Sequence, residues 1–96
     1  KPAAPVVSGP ADVYVGELAE FSAEVHDPAG NSLRVFVAWG DGDTSDYGEF
    51  VGSGRVAYFE HRYVTADTFE VRARCHDAEP LFSDWFGPRR VAAVNP

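Results

Sequence analysis

Apolar and polar residues alternate with a period of two along nearly the whole chain. Between Glu17 and Val25, the residues Ala19, Phe21, Ala23 and Val25 fall on one side, and Glu20, Ser22 and Glu24 on the other. Leu33, Val35, Val37 and Trp39 alternate in the same way with Arg34, Phe36 and Ala38. Ala57, Phe59, His61 and Tyr63 alternate with Tyr58, Glu60 and Arg62, and Phe69, Val71, Ala73 and Cys75 with Glu70, Arg72, Arg74 and His76. Each run predicts a strand with one side in a core and the other in water. Segments of turn chemistry separate them: Asp27 to Asn31, Gly40 to Asp43, Thr65 to Asp67, and Asp77 to Pro80. Val6-Val7 and Val13 to Val15 read as one strand split by Gly9-Pro10, and Tyr47 to Val51 as a short edge strand inside a Gly-, Ser- and Asp-rich loop. Ser83 to Val94 reads as the closing strand, with Pro88 at an edge or a bulge. No helix of useful length is predicted. About seven short strands, with a turn every eight to twelve residues, describe an all-β sandwich.

A length of 96 residues is that of one domain. Such a chain buries roughly 60–65% of its unfolded surface and has a net stability of about 5–10 kcal/mol. Its formal charge of −7 argues against a nucleic-acid partner. Cys75 is the only cysteine, so no internal disulfide forms and the core must suffice. No apolar run reaches membrane-spanning length and no signal peptide is apparent. Residues 1–5 and 95–96, proline-bearing at both ends, read as linkers flanking a single 1–96 domain of a larger protein.

Four segments, in order, resemble the PKD (polycystic kidney disease) domain family in its prokaryotic form. Val37-Ala38-Trp39-Gly40-Asp41-Gly42-Asp43-Thr44 resembles its tryptophan–glycine–aspartate–glycine signature. His61-Arg62-Tyr63 followed by Phe69-Glu70-Val71 resembles its His-x-Tyr and aromatic-x-Val strands. Asp27 to Asn31 resembles its first turn, and Phe82-Ser83-Asp84-Trp85 with Arg90-Val91 its closing strand. Asp67 and the segment Ala78-Glu79-Pro80-Leu81 stand where the family usually has turn glycines. Aspartate at position 67 tolerates a left-handed backbone better than most residues. The resemblance implies an immunoglobulin-like two-sheet β-sandwich. It also implies a spacer or adhesion module of surface proteins, or an accessory domain beside the catalytic domain of a secreted hydrolase.

The chemistry-bearing residues divide into three groups. Gly40-Asp41-Gly42-Asp43 is either a calcium loop or a turn in which glycines permit positive φ and Asp41 bonds nearby amides. In immunoglobulin-like strand order, Asp27, Asn31, Asp77 and Glu79 converge where the chain enters. Asp27 and Asp77 are the metal candidates there, with calcium the metal, and turn capping is the competing role. Trp39, His61 and Tyr63 form an inward cluster, in which His61 is expected to bond a loop backbone group and Tyr63 to pin a turn. No nucleophile elbow or oxyanion hole accompanies His61, Asp41 and a serine, so no catalytic residue is assigned and the chain is not read as an enzyme. Arg34, Phe36, Arg72 and Arg74 lie on the outward sides of two strands that should pair, with Glu20, Glu24 and Glu60 outward on the other sheet. The first set is the candidate interaction face, for a neighbouring domain, a protein or an acidic glycan. Cross-strand pairing with Glu70 is its plain alternative. For the hydrolase-accessory reading, Phe36, Tyr58 and Trp85 or Phe86 are the expected docking aromatics. The expected location is extracellular or at the cell surface.

Overall fold

The computed structural model describes all 96 residues as seven strands without a helix. They are β1 (Val6–Ser8), β2 (Asp12–Tyr14), β3 (Leu18–Glu24), β4 (Arg34–Ala38), β5 (Val56–Arg62), β6 (Asp67–His76) and β7 (Phe86–Val94). Sheet A has the order β1-β3-β5 and sheet B the order β2-β7-β6-β4. This is the two-sheet, immunoglobulin-like sandwich expected from the alternation. Every pair is antiparallel except β2 with β7. The inward residues of both sheets make one core: Ala19, Phe21 and Ala23 on β3, Val35 and Val37 on β4, Val71, Ala73 and Cys75 on β6, Val91 and Ala93 on β7. Burying each Val or Phe side chain contributes roughly 1.5–3 kcal/mol, which is how a small chain without a disulfide holds together.

The opening strand is split at Gly9-Pro10, and its halves join different sheets: β1 pairs with β3 and β2 with β7. Arg89 donates to the Gly9 and Pro10 carbonyls at the crossing. Tyr47 to Val51 does not form the expected edge strand. Only Leu33 and Val51 exchange backbone bonds, at 2.8 and 2.7 Å. The Arg34 guanidinium takes the Tyr47 and Gly48 carbonyls that a strand would offer to a neighbour. The closing strand starts at Phe86 rather than Ser83, because Ser83 binds back to Cys75 through its N–H and its hydroxyl. Pro88 sits at a bulge: the register steps from Val71↔Arg89 to Ala73↔Phe86, leaving one extra residue on β7. Asp67 does not use the left-handed region, where only glycines are found. It opens β6 and accepts the Thr68 N–H with its own carboxylate, so the side chain does the work assigned to a glycine.

The first five residues, linker-like in composition, are packed onto the sandwich. Pro2 and Pro5 are fully buried, the Ala3 N–H donates to the His26 carbonyl at 3.0 Å, and the Lys1 ammonium reaches Asp84 at 2.8 Å. The chain enters beside the β3–β4 turn and leaves beside Tyr14 and Val15, at the opposite end of a body of 44 × 18 × 18 Å.

Candidate functional site

The outer side of sheet B carries the only concentration of cations in an acidic molecule. Register places Arg34 opposite His76, Phe36 opposite Arg74 and Ala38 opposite Arg72 on β4 and β6, with Arg90 of β7 opposite Glu70. Two loops lay aromatic rings over this framework. Tyr47 stacks on Phe36 with centroids 5.0 Å apart, and Trp85 meets Phe36 edge-on at 6.2 Å. His76 is surrounded by Tyr47 at 4.8 Å, Phe82 at 5.0 Å and Phe50 at 6.2 Å. Phe50, Phe82 and Trp85 remain 43%, 39% and 45% exposed, enough for a ligand to touch each ring.

The arginines differ in what they leave free. Arg34 donates to Gly48 and Tyr47 carbonyls at 2.8 and 3.0 Å and lies over Phe50, so it holds the loop down. Arg72 approaches Glu70 only at 3.9 Å, with both side chains about half exposed. Such a pair is worth about 0–1 kcal/mol. Arg74 lies over Phe82 and Trp85, 4.5 and 4.8 Å from their centroids. It makes no hydrogen bond, and its buried Nε has no acceptor. A guanidinium held flat by aromatic rings keeps its forked donors available for a carboxylate.

The predicted face is therefore assembled, with changes. Arg34, Phe36 and Arg74 join one cluster, while Arg72 stands at its rim. Phe36 is half-buried beneath Tyr47 and Trp85 rather than openly exposed. Tyr58, 72% exposed, projects from sheet A and shares no face with Phe36. Tyr47, Phe50 and Phe82 were not assigned to the face from sequence, because period-two arguments place strand residues and these rings come from loops. Their signal was an aromatic repeated within turn-rich segments.

The signature residues build a buried cluster instead. Gly40 has φ +89°, and a Cβ there would lie 2.5 Å from the Glu70 carbonyl oxygen, so only glycine fits. The turn delivers Asp41, whose Oδ1 accepts the Asp43 N–H at 3.0 Å and whose Oδ2 meets His61 Nε2 at 2.8 Å. His61 thus pairs with a carboxylate, not with the backbone group expected for it. Its ring stacks flat on Trp39 at 4.5 Å. The Tyr63 hydroxyl donates to the Trp39 carbonyl at 2.8 Å. Burial, and then the Asp41 charge, push the Tyr63 phenol well above its ordinary range. Gly42, with φ +91°, completes the turn. Ser45, the nearest hydroxyl in sequence, accepts the Val37 N–H at 2.7 Å, which commits it to β4.

At the entering end, Asn31, Asp77 and Glu79 share a groove of about 220 Å³ with Phe50, and Asp27 is outside it. Asp27 Oδ1 caps its turn through the Ala29 N–H, and its buried Oδ2 has no partner. Asp77 Oδ1 accepts the Glu79 and Leu81 N–H groups at 2.9 and 2.7 Å, which hold its carboxyl below the usual 3.8. No group of three or more His, Cys, Asp or Glu side chains is placed together to hold a metal ion. Cys75 is buried, with its thiol donating to the Ala3 carbonyl at 3.4 Å, and burial pushes its pKa up.

No family model matches the sequence, and no curated protein matches it. Among solved structures, the chain is similar to the PKD domain of an M14-like peptidase from a Thermoplasmatales archaeon. The TM-score is 0.91 and the identity 28%, over 98% of this chain and 96% of that one. It is also similar in fold to the CARDB domain of a Pyrococcus furiosus protein in complex with di-metal ions, with TM-score 0.69, identity 21%, and coverage of 97% and 96%. A solution structure of that CARDB domain matches at TM-score 0.65 and 18% identity, over 94% and 92%.

Proposed function

Because this chain is a PKD-type β-sandwich domain, we propose that it is a non-catalytic spacer and interaction module of a larger surface or secreted protein. In this reading the outer side of sheet B meets carboxylate-bearing partners, on protein or glycan. Arg74 carries the proposal: a half-buried guanidinium without an acceptor, over two exposed rings, in a chain of net charge −7. Opposed entry and exit over 44 Å support the spacer role, since successive modules would extend rather than fold back. A second reading, an accessory substrate-binding domain of a secreted hydrolase, is favoured by the likeness to a domain of a peptidase. Both readings use the same face.

The test is binding of the 96-residue chain to polygalacturonate, with neutral dextran as the control. At 0.15 M salt the Debye length is about 8 Å. The face is then felt while the acidic sheet, across an 18 Å body, is screened. Binding to the polyuronate alone, weakened at least about tenfold by Arg74→Ala, is the expected result. Equal retention on dextran, or no effect of Arg74→Ala, rejects the carboxylate reading.

A further inference from the structure

Two three-residue strands, β1 and β2, close one side of each sheet, and β4 and β5 are the edges on the other side. The β4 edge is covered. Leu33 exchanges backbone bonds with Val51, Val37 is paired with Ser45, and the Trp39 N–H donates to the Asp43 carbonyl. The seven-residue β5 edge is bare: its residues pair with β3 and with nothing on the other side. The Val25 N–H donates to the Arg55 carbonyl. In the antiparallel alternation Ala57, Phe59 and His61 therefore turn their backbone groups to β3, while Val56, Tyr58, Glu60 and Arg62 turn theirs outward. β5 has no proline, no lysine and no bulge against β3, and its edge protection is limited to the charged Glu60 and Arg62.

A groove of about 270 Å³ runs beneath this edge, lined by Val35, Val51, Ala57 and Phe59 among others. Gly48, Glu49 and Val51 form one wall of it and Val56 to Phe59 of β5 the other. Unpaired backbone donors and acceptors beside an apolar slot are the two halves of a strand-addition site: the edge supplies affinity, the slot takes alternate side chains. The solvent side of sheet A selects the occupant. Glu20 and Glu60 face each other in register, Glu24 follows on β3, and Glu49 stands at the groove, while Arg62, the one cation of β5, is engaged at the strand's end with the Gly16 carbonyl. A cation beside Glu60 would relieve that repulsion.

We infer that β5 accepts an added β-strand from another polypeptide, an extended segment with apolar residues at the positions facing the groove and basic residues at those facing solvent. A second copy of this chain fits poorly. Two paired β5 edges would bring two sheets bearing Glu20, Glu24 and Glu60 side by side, like charge against like.

The probe is an acetylated, amidated heptapeptide alternating lysine and valine, titrated into the 96-residue chain and followed by residue-resolved amide exchange. The expected result is slowed exchange at Tyr58 and Glu60, with Phe59 unchanged because its N–H already faces β3. N-methylation of the lysine backbone nitrogens, which keeps the charge but removes the inter-strand bonds, should weaken binding at least about tenfold. Glu60→Lys, a fully solvent-facing change, should weaken the lysine peptide and strengthen a glutamate–valine peptide. The inference fails if the N-methylated peptide binds as well as its parent, since charge alone would then explain binding. It also fails if protection falls outside β5, or if the chain without peptide sediments as a dimer with Tyr58 and Glu60 already protected.

Discussion

The molecule has two aromatic clusters with a histidine, one between the sheets around His61 and one on the outer side of sheet B around His76, and they differ in how fully they are satisfied. Inside, His61 stacks on Trp39 and meets Asp41, Tyr63 bonds the Trp39 carbonyl, and Phe21 and Phe69 close the packing. Outside, His76 is ringed by Tyr47, Phe50 and Phe82 but bonds only the Asp77 carbonyl, and Arg74 bonds nothing. Similar side chains thus serve two ends. A cluster whose histidine and tyrosine are bonded to fixed internal partners is a structural joint. One with free donors and half-exposed rings is available to a partner.

Mutations that act on one cluster and spare the other sharpen this contrast. The largest effect is expected from Gly40→Ala, which forces a left-handed backbone on alanine and drives its Cβ into Glu70. A loss of about 3 kcal/mol, hence a fall in Tm of roughly 12 °C or more, should appear in thermal melts. Tyr63→Phe removes one buried donor and leaves the Trp39 carbonyl unmatched. About 1–3 kcal/mol is expected from denaturant titration.

A smaller, pH-dependent effect is expected at Asp77. Its carboxyl is held below its unfolded value by two backbone bonds, so its contribution is present above about pH 4 and lost as pH falls through the folded value. Asp77→Asn should therefore differ from the parent most at neutral pH, with the two stability curves converging in acid. Least of all should calcium matter. Melts in millimolar calcium and in chelator should coincide within about 1 °C, because a saturated folded-state site at 100 times its Kd would add roughly 2.7 kcal/mol.

What the sequence disclosed follows from this division. Strands β3, β4, β5 and β6 were legible because their inward residues alternate strictly, and so were the positions of Arg34, Phe36, Arg72 and Arg74 on one side. The inner cluster was legible as residues but not as bonds: nothing in the spacing of Asp41 and His61 says that a turn with two positive-φ glycines folds the carboxylate onto the ring. The outer cluster was half hidden. Tyr47, Phe50 and Phe82 reach the face through loops whose course depends on tertiary bonds, such as those from Arg34 to the Tyr47 and Gly48 carbonyls. Asp27 and Asp77 each cap their own turn through local N–H groups, and both carboxylates lie near enough to Cys75 to add to burial in pushing its thiol up, a proximity that strand order suggested and spacing alone did not.

The most direct test measures stability and polygalacturonate affinity together for Tyr63→Phe and Trp85→Ala. Tyr63→Phe should lower stability and leave affinity unchanged, while Trp85→Ala should lower affinity severalfold at a stability cost under about 1 kcal/mol. If both variants lose affinity in proportion to stability, or if Trp85→Ala leaves affinity untouched, the outer cluster is only packing and the division between the two is wrong.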